Sequence, residues 1–141
     1  MEINVSGLDD IMRNLTTYES NLKIKLGLAI EGVSQIVENK AKQLCPVDDG
    51  VLRASITHEV VNRQDETIGK VGTNVEYAPY VHQGTGIHAI KGDGRKDPWV
   101  YQSADGKFHK TVGQKPQPFL EDAAKKSKGE IRKKVKEVIN L

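Results

Sequence analysis

Four histidines, one cysteine and a pair of adjacent aspartates are the residues from which chemistry would have to be built in this chain: His58, His82, His88, His109, Cys45, Asp48 and Asp49. Acid–base or nucleophilic catalysis needs two or three such groups converging in one cleft, and none of these falls in a recognisable catalytic motif. His82 and His88 bracket a glycine loop and could share a metal with Cys45 or Asp93, but their spacing matches no standard zinc pattern. Solvated or interface histidines are the simpler reading. Pro46-Val47-Asp48-Asp49-Gly50 is turn chemistry, in which Pro fixes one dihedral, Asp bonds to nearby backbone and Gly accepts positive φ. Gly84-Thr85-Gly86-Ile87-His88-Ala89 has the form of a dinucleotide loop, whose glycines let backbone approach a pyrophosphate. That fingerprint requires a parallel strand before it, a helix after it and an acidic residue about twenty positions on. Gly92 and Gly94 exclude the helix, so a flexible turn is the better reading. The chain reads as a non-enzyme with no catalytic, cofactor or metal site.

The elements that would position these residues follow from periodicity. Leu8, Ile11, Leu15, Tyr18, Leu22, Leu26, Ala29, Val33, Ile36 and Leu44 recur mostly at steps of three and four, which predicts one long amphipathic helix with Ser6 as its candidate cap and Pro46 as its stop. Gly27 and Gly32 inside it mark a kink or a close crossing. Leu52, Ala54, Ile56 and Val60 then alternate with Arg53, Ser55, Thr57 and Glu59, predicting a strand with one wet face. A turn at Asn62–Glu66 and a second strand at Thr67–Val75 follow, antiparallel because the connection is too short for a crossover. From Gln83 to Pro118 glycines and prolines exclude any helix of useful length. Inside that stretch Asp105-Gly106 is a type I′ turn candidate, which would set Trp99 across from Val112 and Tyr101 across from Lys110 in a hairpin. Pro118 opens a last helix with Leu120, Ala124, Ile131, Val135 and Val138 as its stripe. The expected fold is α+β: an antiparallel sheet packed by a long N-terminal helix and a C-terminal helix.

At 141 residues the chain supports one domain, 1–141, and its 21 Lys+Arg against 19 Asp+Glu leave a charge of +2. That is too near neutrality for nucleic acid or lipid to be the leading partner. Asp9, Asp10 and Arg13 interrupt the apolar positions near the start, so neither a signal peptide nor a membrane span is expected and the default compartment is cytoplasmic. Cys45, alone, closes no internal disulfide.

Aromatic residues are 5% of the chain, yet they gather in Val75-Glu76-Tyr77-Ala78-Pro79-Tyr80-Val81 and at Trp99, Tyr101 and Phe119. Such residues serve equally as core and as interface anchors, because they bury much area at low entropy cost and keep a polar tip. Trp99 and Tyr101 lean to interface. The long 83–117 segment reads as one that orders on a partner. Lys125, Lys126, Lys128, Arg132, Lys133, Lys134 and Lys136 read first as a solvated helix face. The alternative function they support is a small nucleic-acid-binding module.

Three segments together resemble a known family: Pro46-Val-Asp-Asp-Gly-Val-Leu-Arg-Ala-Ser-Ile56, Val71-Gly-Thr-Asn-Val-Glu-Tyr-Ala-Pro-Tyr-Val-His-Gln-Gly-Thr85 and Gln117-Pro-Phe-Leu-Glu-Asp-Ala123. In order and spacing, between two amphipathic helices, they look like the small morphogenesis proteins of long-tailed phages and prophages that join head to tail or complete the tail. Where many members carry an acidic then an aromatic residue before Gly-Thr, this chain has His82 and Gln83. The resemblance implies an α+β fold and a structural, non-catalytic subunit assembled as a ring, expected to be a hexamer. Its partners would be further copies of itself, a connector or head-completion protein and the tail-tube protein. DNA would pass through without being specifically bound, and no membrane would be involved. The location would be the virion, and the host bacterial cytoplasm during assembly. The expected partner and oligomer interface is Tyr77, Tyr80, His82, Gly84, Thr85, Trp99, Tyr101 and Phe119.

Overall fold

The computed structural model describes residues 6–48 and 50–139; Asp49, part of the expected turn, and the Ser6 side chain lie outside what is described. Helix α1 (Ser6–Leu44) has 39 residues and is therefore about 58 Å long. A compact body of this chain length has a radius of gyration of about 14 Å, so such a helix must outrun it. From Ala29 onward α1 packs against the rest of the chain, while residues 7–21 are exposed on every side. Gly32 is the close crossing: a Cβ there would lie 2.5 Å from Cε of Lys134. Gly27 meets nothing within 4 Å.

The strand expected over 52–60 begins later. Gly50, at φ 83°, starts a single helical turn, α2 (Val51–Ser55), and the Ala54 N–H donates to the Gly50 carbonyl at 3.0 Å. Leu52 and Ile56, four apart, both enter the core, whereas Ala54 between them is exposed. Positions 52 and 56 satisfy a period of two and a period of 3.6 alike, and the left-handed glycine decided for the helix. Strands β1 (Thr57–Asn62) and β2 (Thr67–Gly72) pair antiparallel as expected, Thr57 opposite Gly72 and Val60 opposite Gly69. β2 stops short of Val75 because Thr73 turns its hydroxyl to accept from the Val75 N–H at 3.1 Å.

Short helix α3 (Ala78–Gln83) leads into a 3₁₀ turn at Gly86–His88, then β3 (Trp99–Gln102) and β4 (Phe108–Thr111) form a second, separate antiparallel pair. The expected last helix is two, α4 (Phe119–Lys126) and α5 (Lys128–Ile139), meeting at a buried Ser127. Its inward row at the start is Phe119, Ala123 and Ser127; Ala124, expected in the stripe, is exposed. The rotation carries the largest side chain of the segment into the core. There Ala41, Cys45, Leu52, Ile56, Ala78, Phe119 and Ala123 form one cluster, bordered by Val37, Leu44, Val71, Val81 and Leu120. The architecture is α+β, with α1 backing the β1–β2 sheet and both C-terminal helices.

Candidate assembly surface

The segment from Gln83 to Gln117 is tied to the body at its base. Gly84, at φ 80°, ends α3, and the chain doubles back so that the Ile90 N–H donates to the Gln83 carbonyl at 2.9 Å. The two ends of the segment then clasp: N–H groups of Thr85 and Ile87 donate to the carbonyls of Gln114 and Val112, each at 3.0 Å, and the Gln114 N–H donates to the Thr85 hydroxyl at 2.9 Å. The Gln117 N–H closes on the Val81 carbonyl at 2.9 Å. The Gly-Thr-Gly sequence therefore makes a buried backbone-to-backbone joint. No dinucleotide loop forms, and the base of the segment is ordered by the chain itself; ordering on a partner is not needed there.

The clasp supports the β3–β4 hairpin, whose register differs by one residue from the expected one: Trp99 faces Thr111 and Tyr101 faces His109. The Gly106 N–H donates to the Ser103 carbonyl at 2.9 Å, the Ser103 N–H to the Lys107 carbonyl at 2.8 Å, and Gly106 has φ 84°. That is a three-residue loop, Ala104 to Gly106, with the glycine in the left-handed position of a bulge, where a two-residue type I′ turn would have given the other register. One face carries Trp99, Tyr101, His109 and Thr111, with the Tyr101 and His109 rings stacked at 5.3 Å. The other carries Val100 and Phe108, the latter 73% exposed. Large apolar side chains thus stand in solvent on both faces.

Beside the hairpin lies a groove of about 470 Å³ between Tyr80, Gln83, Thr85, Ile90, Arg95 and Trp99. Tyr80 stands 64% exposed at its edge, Tyr77 is partly exposed, and the Arg95 guanidinium sits 5.5 Å over the Trp99 ring. The structure therefore brings Tyr80, Gly84, Thr85 and Trp99 together in one groove, with Tyr101 on the adjoining hairpin. Gly84 is buried and contributes backbone alone. Phe119 goes elsewhere, 2% exposed in the core, with His82 edge-on to it at 5.8 Å.

Sequence reasoning missed a second surface. On the projecting part of α1, Leu8, Ile11, Leu15 and Tyr18 lie along one side and are all more than half exposed. The Arg13–Asp10 ion pair at 2.6 Å sits off that stripe, and the Lys23–Glu19 pair at 3.6 Å flanks it. The signal was available as length: a helical stripe about 58 Å long exceeds what a body of this size can cover.

The groups capable of chemistry are dispersed. Cys45 is buried, its thiol pushed up by desolvation, and it contacts the Pro46 carbonyl at 3.4 Å. His58 points from β1 to α1, bonding Glu31 at 2.7 Å and Glu38, which also takes Lys42 at 2.6 Å. Hydrogen bonds from Glu31, then Glu38, raise its pKa. This is a structural ion cluster joining helix to sheet. Among the described residues no three His, Cys, Asp or Glu side chains gather to hold a metal, and no helix is long and apolar enough to cross a membrane.

Two projections, one helical and one a hairpin, each carry exposed apolar side chains. Residues 9–84 match the family model described as "Bacteriophage HK97-gp10, putative tail-component", and the chain belongs to this family of phage tail components. No curated protein and no solved structure matches it.

Proposed function

We propose that this chain, as one 141-residue unit, is a ring-forming subunit that joins the head to the tail or completes the tail. The observation that carries the reading is the pair of exposed apolar projections, since an isolated two-stranded hairpin is marginal in water and gains stability when its faces are covered. A ring needs two different surfaces on each subunit that fit one another, and the hairpin with its groove and the α1 stripe supply two. Tyr77, Tyr80, Thr85, Trp99 and Tyr101 make the neighbour contacts, with His82 and Gly84 setting the backbone beneath them. Phe119 serves by holding the core against which α3 is placed. Further copies, six to a ring, the connector or head-completion protein and the tail-tube protein are its partners, in the virion and before that in the host cytoplasm. The role is structural, without catalysis.

Electron microscopy of the purified chain mixed with tail-tube protein tests this. Rings or capped tubes are expected, and a Trp99→Ala/Tyr101→Ala variant is expected to fold and fail to form them. A chain indifferent to tail-tube and connector proteins would remove the reading. Assembly unaffected by the double variant would remove the hairpin from the interface.

A further inference from the structure

A net charge of +2 conceals a segregation: seven of the 21 Lys and Arg residues lie between Lys125 and Lys136 with Glu130 as the single carboxylate among them, so the rest of the chain is net acidic. Part of that charge is spoken for. Glu130 turns to Lys40 at 3.9 Å, Lys125 pairs with Glu121 at 2.8 Å, and the Lys134 stem lies over Gly32. What remains on the outer side of α4 and α5 is Lys126, Lys128, Arg132, Lys133 and Lys136, all exposed and, among the described residues, none in an ion pair. Glu137 is the exposed carboxylate at the end of this face.

Lys128, Arg132 and Lys136 recur at i, i+4 and i+8, a gently winding row about 12 Å long. Like charges at that spacing weaken a helix, so the row works against the fold and calls for an anion outside it. Among the described residues no aromatic ring stands on this face to stack an unpaired base, and no Asn or Gln to read a base edge. Ammonium and guanidinium groups alone suit phosphate oxygens, which position a duplex without reading its sequence.

We propose that the outer face of α4–α5 is the surface turned toward the DNA in the assembled joint, contacting the phosphate backbone of duplex DNA without sequence preference. This rests on the head–tail joint reading above. Each copy contributes a few weak contacts, and a ring multiplies them without gripping any one sequence.

Fluorescence anisotropy of a random-sequence 30-base-pair duplex, titrated with the full chain across a salt series, tests it. Binding at low salt that weakens steeply as salt rises is expected, unchanged when the duplex sequence is changed. A Lys128→Gln/Arg132→Gln/Lys136→Gln variant is expected to keep its circular dichroism spectrum and lower the log–log salt slope by about 0.9 per lost contact. No binding at low salt, or a variant that binds as the parent does, overturns the proposal. A variant that loses association with tail-tube protein while the parent ignores DNA also overturns it, and makes the face a protein interface. Mixing the same variant with tail-tube protein separates the two readings. Rings without DNA binding sink this inference alone, whereas DNA binding by a parent chain that never engages tail proteins sinks the joint.

Discussion

Gly86 and Gly113 meet backbone to backbone. A Cβ on Gly86 would overlap the Val112 carbonyl oxygen and lie 2.9 Å from the Gly113 Cα, and one on Gly113 would overlap the Thr85 carbonyl oxygen and lie 2.8 Å from the Gly86 Cα. This contact closes the base of a 35-residue excursion and so fixes where the hairpin leaves the body.

Gly86→Ala is therefore expected to be among the most damaging small substitutions, destabilising by roughly 2 kcal/mol or more through a positive φ together with a backbone clash. Gly92 also has positive φ but open space around it, so Gly92→Ala is expected to cost only about 1 kcal/mol. Urea midpoints of the two variants check the contrast; equal losses would remove the clasp.

The two exposed or buried phenylalanines should separate folding from assembly. Phe119→Ala, from a site 2% exposed, is expected to lose about 3–5 kcal/mol. Phe108→Ala, 73% exposed, is expected to change stability by less than about 0.5 kcal/mol and to reduce assembly with tail-tube protein. Thermal melts and particle counts read the two effects.

On the helical projection, Leu15→Ser/Tyr18→Ser is expected to leave the melting temperature of the isolated chain almost unchanged, because both side chains are exposed and, among the described residues, residues 7–21 bury nothing. Loss of assembly in the same variant would place the stripe in an interface. Full assembly would mark it as dispensable.

Stability should depend on pH through the His58 cluster. His58, raised above 6.5 by Glu31 and Glu38, contributes fully below 6.5 and loses its contribution as pH climbs through its folded value. Glu38, lowered below 4.5 chiefly by Lys42 and then by His58, contributes above 4.5 and loses it as pH falls through its folded value. The urea midpoint is expected to be highest between those limits and to decline on the alkaline side, a decline that His58→Gln abolishes. A parent chain with the same midpoint from pH 6 to 9 would show that the cluster does not act.

The sequence by itself determined the long helix, the β1–β2 pairing, the hairpin's existence and the α+β class, because each rests on a local period or a local turn. It also carried three segments that resemble the phage family to which residues 9–84 belong. Tertiary structure decided what local signals leave degenerate. The spacing of Leu52 and Ile56 fits strand and helix, and the left-handed Gly50 chose. Asp105-Gly106 fits two turn types, and the bulge at Gly106 moved Tyr101 from Lys110 to His109. Phe119 and Trp99 are equally apolar in a list, yet one fills the core and the other edges a groove. Gly86 and Gly113 lie far apart in the sequence and come into contact only when the ends of the excursion close. Periodicity says which side of an element is apolar; only packing says whether anything in the same chain covers it, and along residues 7–21 of α1 nothing described does.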